Sequence, residues 1–269
     1  MVDALSTAKL VIYIILAFPA AYINLEHGKP GFLGWFYLQL FCALRLVTDV
    51  LTIKPGLASA EVTMILKSVG LAPLLFACAG VLHEARLARD STINRKKEWS
   101  YQIFYHFLVL GATVLNVVGV VEYMTKYTTS PASALTKVGC TLAALAWVLL
   151  AGFSLLSLRN HVLQQASTYR AGTLLLYGVI ATIPFNGLRL AYSVAYIILK
   201  IQQPEAEFLS SLAVQVCLSV VPEMIVVIIL IVVGLKTIHL NQLFKTRPYQ
   251  LGQTSPGQDY VAVSVPKIV

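Results

Sequence analysis

Glu223 and Asp49 stand inside long apolar stretches, where a carboxyl group serves either as a proton donor or as half of a buried ion pair. Asp49 lies four residues after Arg45, so on a helix the two share a face and can form a charge-assisted pair. Lys67, on the next apolar stretch, is a further candidate partner for Asp49, or else snorkels to the membrane surface. A second group gathers around Pro184. The proline frees a backbone carbonyl, and Asn186 and Arg189, three residues apart, can face one partner. Pro222 repeats the device just before Glu223, for which Arg189 and Arg45 are the available partners. Asn116 adds a buried amide, and Tyr192 is one of several aromatics whose ring faces could steady a carbocation or a bound cation.

Elements that cross a bilayer must position these residues. Of 269 residues, 58% are hydrophobic and 12% charged, against about 45–50% and about 25% in an ordinary soluble domain. With a mean hydropathy of +0.76, a soluble globular enzyme is excluded. Seven apolar windows are long enough to span the hydrocarbon, at roughly 7–24, 31–53, 60–83, 100–124, 137–157, 172–199 and 209–236. The expected fold is all-α, a polytopic bundle of seven transmembrane helices forming one domain over 1–236. Residues 237–269 read as a polar, disordered cytosolic tail with Pro248, Gly252 and Pro256.

Lysine and arginine set the expected orientation. Twelve of the 20 fall on one side, including Arg86, Arg89, Arg95, Lys96 and Lys97 in the charged stretch from His83 to Trp99, and five, Lys9 among them, fall on the other. The positive-inside rule then places the N-terminus lumenal or extracellular and the C-terminus cytosolic. The other three, Arg45, Lys67 and Arg189, lie within helices, where a charge is costly. Measured from the lumenal end, Asp49 is roughly 6 Å deep, Gln215 roughly 9, Lys67 roughly 10, Arg45 and Asn116 roughly 12, Arg189 roughly 15, Asn186 roughly 20 and Glu223 roughly 21 Å. The opposite half holds mainly His83, His106 and hydroxyls. This one-sidedness predicts a polar cavity open to the lumenal side or to the bilayer there.

Several chemistries are disfavoured. The net charge of +8 is too dispersed for a nucleic-acid groove, so the bilayer is the expected macromolecular partner. Cys42, Cys78, Cys140 and Cys217 fall in apolar runs without metal-ligand spacing, and neither a metal site nor a cofactor is expected. From Leu209 to Gly234 helix seven has no lysine for a retinal Schiff base, and His83-Glu84 lacks a second histidine at metalloprotease spacing. Oligomeric state leaves no mark in the sequence.

Gly34-Trp35 followed by Arg45, the run Gly70-Leu71-Ala72-Pro73-Leu74-Leu75, Pro184-Phe185 followed by Arg189 and Tyr192, and Pro222-Glu223 followed by Gly234 resemble a family of fungal seven-helix integral membrane proteins of unassigned general function. The resemblance covers nearly the whole membrane region; Arg45, Arg189 and Glu223 match the pattern, whereas Asp49 and Lys67 do not. In architecture and chemistry the chain is also similar to the membrane-bound terpene cyclases of meroterpenoid pathways, which use membrane-embedded carboxylic acids to protonate an epoxide or alkene of a prenyl chain. That likeness implies an enzyme of the endoplasmic reticulum membrane acting on a lipophilic, prenylated or epoxidised substrate. Glu223 or Asp49 would be its catalytic acid. Arg45, Arg189, Asn186, Asn116, Lys67 and Tyr192 would bind substrate. A non-catalytic sensor or carrier, in which Arg45, Arg189 and Glu223 form an ion-pair switch, is the alternative class.

Overall fold

A computed structural model describes residues 2–54, 56–90, 93–126, 129–159, 168–202 and 211–242. Among these residues every regular element is helical. Seven helices are long and apolar enough to cross a membrane: Ala4–Gly28, Gly31–Ile53, Leu71–Arg89, Arg95–Glu122, Ala134–Arg159, Tyr169–Leu199 and Leu212–Lys236. They are called spans one to seven below. The chain is therefore a multi-pass membrane protein.

Spans one and two form one helical run, Val2–Ile53, broken at Gly28, whose backbone takes φ 62° and ψ −157°. That region is open almost only to glycine, so a single residue reverses the chain with no separate loop. Residues 237–242, read from sequence as the start of the tail, pack back beside this turn. Leu240 is buried there, and the Asn241 amide donates to the Glu26 carbonyl at 3.0 Å. The rest of the tail lies outside the described residues.

Span three is the hub. It packs against spans two, four and six and is buried along nearly its whole length. Small residues such as Ala72, Ala77, Gly80 and Ala85 make this possible, since lipid offers no hydrophobic drive and helices associate by close backbone approach. Gly34 of span two lies so close that a Cβ there would sit 2.6 Å from the Val81 backbone nitrogen.

Two boundaries differ from the sequence reading. The expected helix 60–83 is split at Gly70 into a short helix, Ala60–Val69, capped by the Ser59 hydroxyl, and span three. Pro73 lies in the first turn of span three, where a missing N–H costs nothing, and the same proline one turn into a continuous helix would clash with the Val69 carbonyl. Second, the charged stretch from His83 to Trp99 is mostly helix. Span three runs on to Arg89, and the next helix begins at Arg95, with the Asn94 side chain accepting from the Lys96 N–H at 3.0 Å. The helices extend because Glu84, Arg86, Arg89 and Glu98 find partners inside the bundle, which short-range hydropathy does not register.

Candidate functional site

Spans one, two, six and seven bring five charged side chains together at the bundle end that carries the N-terminus. In span seven a π-helical turn, Val216–Val220, precedes the α-helix Val221–Lys236. The wider turn lets Pro222 enter the helix without its ring striking the preceding turn, and it sets the register in which Glu223 points inward. Glu223 is 3% exposed, and its Oε1 accepts from Arg45 Nη2 and from Arg189 Nε, the latter at 2.5 Å. Arg189 also donates to Ser193 one helical turn on. Its guanidinium lies 5.8 Å from the Tyr192 ring centroid, and that of Arg45 lies 5.3 Å from Phe41.

The expected Arg45–Asp49 pair does not form. Arg45 reaches across to Glu223, and Asp49 Oδ1 instead takes Lys9 Nζ of span one at 2.5 Å. Arg45 can reach span seven because Gly70 leaves the room: a Cβ there would lie 2.5 Å from Arg45 Nη2. Lys9, read from sequence as a topology marker, is thus half of a partly buried pair. Asn186 and Arg189 do not share a partner either. Asn186, fully buried, donates to Cys78 Sγ at 3.4 Å on span three, while Arg189 turns to span seven. Beside Pro184, Trp147 Nε1 of span five donates to the Ile183 carbonyl at 3.0 Å. Lys67 belongs to the short helix Ala60–Val69, and its side chain lies outside the described residues.

A cavity of about 350 Å³ opens beside this cluster. Of the residues singled out from sequence, Arg45, Asn116, Arg189, Tyr192, Gln215 and Glu223 line it, and Asp49 and Asn186 do not. Asn116 is held by its own helix, donating to the Ala112 carbonyl at 2.8 Å, and accepts from Cys140 Sγ at 3.4 Å. Leucine, valine and alanine side chains from spans three to six make up much of the remaining wall. The site is thus a charged pole on an otherwise greasy chamber.

This is the arrangement of a chain matched over residues 1–240 by the model of a family described as a domain of unknown function, DUF7702. The chain belongs to the DUF7702 family. The match takes in all seven spans and every residue of the cavity, and the family's description carries no activity. No curated protein and no solved structure matches the chain.

Sequence reasoning gave no site role to Lys9 or Tyr13 of this DUF7702 chain. Lys9 and Tyr13 both line the chamber, and their four-residue spacing on span one was the available signal. It also missed a second polar cluster at the opposite end. There Glu84, fully buried, accepts from Trp35 Nε1 through Oε2 at 2.8 Å and contacts His27 Nδ1 through Oε1 at 2.8 Å. His27 Nε2 donates to the Gly234 carbonyl at 3.0 Å, tying spans one, two, three and seven into one knot. Beside it, Arg86 bridges Glu98 at 2.6 Å and Ser157 at 3.0 Å, and Arg89 donates to the Ser157 carbonyl at 2.5 Å. Arg86 and Arg89 are therefore internal ties rather than surface charges marking topology. The half expected to hold mainly His83, His106 and hydroxyls contains much of the protein's buried charge.

Proposed function

We propose that the cavity beside Glu223 is the active site of an integral membrane terpene cyclase, acting on a prenylated or epoxidised lipophilic substrate in a fungal meroterpenoid pathway. The observation that carries this reading is a carboxyl group on the wall of an intramembrane chamber of about 350 Å³, at the small end of the range of about 300–1,000 Å³ typical of ligand sites. Such a chamber suits one lipophilic molecule. Glu223 gives the proton that opens an epoxide or alkene and recovers a proton after the last ring closes, so the product is an isomer of the substrate. Arg45 and Arg189 fix the carboxyl group at that place. A substrate oxygen accepting from Arg189 would release Glu223 from one of its two guanidinium groups, and a buried carboxylate left with Arg45 alone takes up a proton more readily. Tyr192 offers its ring to the developing cation. Asp49, behind Lys9 and away from the wall, has the weaker claim to the acid's role.

In this reading the N-terminus is lumenal, the C-terminus cytosolic and the membrane that of the endoplasmic reticulum. The test is to feed microsomes carrying the protein with prenylated and epoxidised phenols. Products isomeric with the input, lost in Glu223→Gln, support the proposal; a wide panel recovered unchanged refutes it. One observation favours the second reading, a sensor or carrier: Glu223 is held by two guanidinium groups, as the closed state of an ion-pair switch would be. Uptake into proteoliposomes driven by a pH gradient, with no conversion, would establish it.

A further inference from the structure

The bundle end opposite the cavity carries exposed charge of its own. Arg86 and Arg89 are tied inside, but Arg95, Lys96 and Lys97, in the first turn of span four, are exposed and make no ion pair with any described residue. The acid that follows them does not neutralise them. Glu98 is buried and points inward, to Arg86 at 2.6 Å, with His83 Nδ1 3.8 Å away. Between these cations and the apolar part of the span lies a shallow, open hollow lined by Arg95, Lys96, Trp99, Ser100 and Ile103. The Trp99 ring is 55% exposed there, with the His83 ring edge-on behind it at 6.2 Å. Residues at this spacing share one helix face, and the same face continues through Phe107, Leu110 and Val114, all exposed. From Ile103 to Val114 the strip runs roughly 16 Å at the rise of an α-helix, about half of a hydrocarbon core that is about 30 Å thick.

Cations at the top, an indole beside them and an apolar strip one leaflet long complement a phospholipid whose head carries net negative charge. We propose that this face of span four binds an anionic phospholipid of the surrounding bilayer, its phosphate held by Arg95 and Lys96 and one acyl chain lying along Ile103, Phe107 and Leu110. The charge selects an anionic lipid over a zwitterionic one, because a choline head would bring a further cation to a hollow that already holds two. The apolar strip selects a lipid over a soluble phosphate, which would leave that strip unused. Trp99 sits at the helix end, where amphipathic rings settle among head groups. The site is remote from the cavity and does not depend on what the cavity does.

Trp99 is a built-in reporter. The purified full-length chain is placed in phosphatidylcholine nanodiscs containing a minor fraction of brominated phosphatidylserine or brominated phosphatidylcholine, and tryptophan quenching is measured; the part lost in Trp99→Phe is assigned to this site. The serine lipid should quench Trp99 with an apparent affinity about fivefold or more above that of the choline lipid, the worth of one basic side chain near a membrane surface. Arg95→Gln combined with Lys96→Gln should remove the preference while leaving quenching by the choline lipid unchanged, which also shows that the variant is folded. Lys97→Gln, which removes a charge outside the hollow, should keep most of the preference. Equal quenching by the two lipids, an undiminished preference in the double variant, or as large a loss in Lys97→Gln overturns the site, the last in favour of diffuse attraction. Displacement of the serine lipid by soluble glycerophosphate overturns the lipid as occupant.

Discussion

Glu223 and Glu84 are both carboxylates sealed inside the bundle, near opposite ends, and each is held by two side chains from other spans. Their surroundings differ in what is left over. Around Glu84 both carboxylate oxygens and both ring nitrogens of His27 are engaged, and Gly31 closes the space, since a Cβ there would lie 2.6 Å from either Glu84 oxygen. Neither Glu84 nor His27 nor Trp35 borders the cavity. Around Glu223 one oxygen takes both arginines, a chamber stands open, and Tyr13 and Arg45 keep donors unspent. A buried polar cluster that closes on itself ties helices together. One that borders an open chamber leaves room for something to arrive.

The contrast sorts substitutions by what they should damage. The largest effect falls on turnover: Glu223→Gln should lower product formation per folded molecule by about a hundred- to ten-thousand-fold, the usual contribution of a general acid, measured by product analysis at equal protein. Glu84→Ala should act on folding instead. Removing one partner of a buried charged cluster costs about 3–5 kcal/mol, and the loss should appear as an earlier thermal unfolding transition in detergent, with activity per folded molecule retained. Gly28→Ala comes next. A side chain at φ 62°, ψ −157° costs roughly 1–3 kcal/mol, and the same thermal melt should register it as a smaller shift than that of Glu84→Ala. The smallest change belongs to Tyr13→Phe, which deletes a buried hydroxyl that bonds nothing. Its melt should move by less than about 1 kcal/mol in either direction. A large destabilisation there would mean that Tyr13 is structural and that both ends of the molecule are closed polar clusters.

The seven spans were legible because each is a run of apolar residues long enough to cross the hydrocarbon, a property carried by every residue in the window. Arg45, Arg189 and Glu223 were legible for the complementary reason, as rare charges in those runs. Their pairing was not. Helical spacing put Arg45 beside Asp49, but the actual contacts depend on which spans are neighbours and on the rotation of each, and Gly70 and the π-helical turn before Pro222 decide that from outside the pairs. Glu84, Arg86, Arg89 and Glu98 were hidden for another reason. A dense charged stretch resembles a loop by hydropathy, and only the partners on spans one, two, five and six show it to be interior. Lys9 was read as a topology marker because a single charge near a helix end looks like an interfacial anchor until Asp49 is found beside it.

The most direct test compares the two glutamates in one experiment: microsomes carrying wild type, Glu223→Gln or Glu84→Gln, matched for folded protein, are fed the same prenylated and epoxidised phenols and the isomeric products are quantified. The cavity reading predicts product from wild type and from Glu84→Gln, and essentially none from Glu223→Gln. Equal product from wild type and Glu223→Gln, or loss confined to Glu84→Gln, would contradict it and move the site to the other end of the bundle.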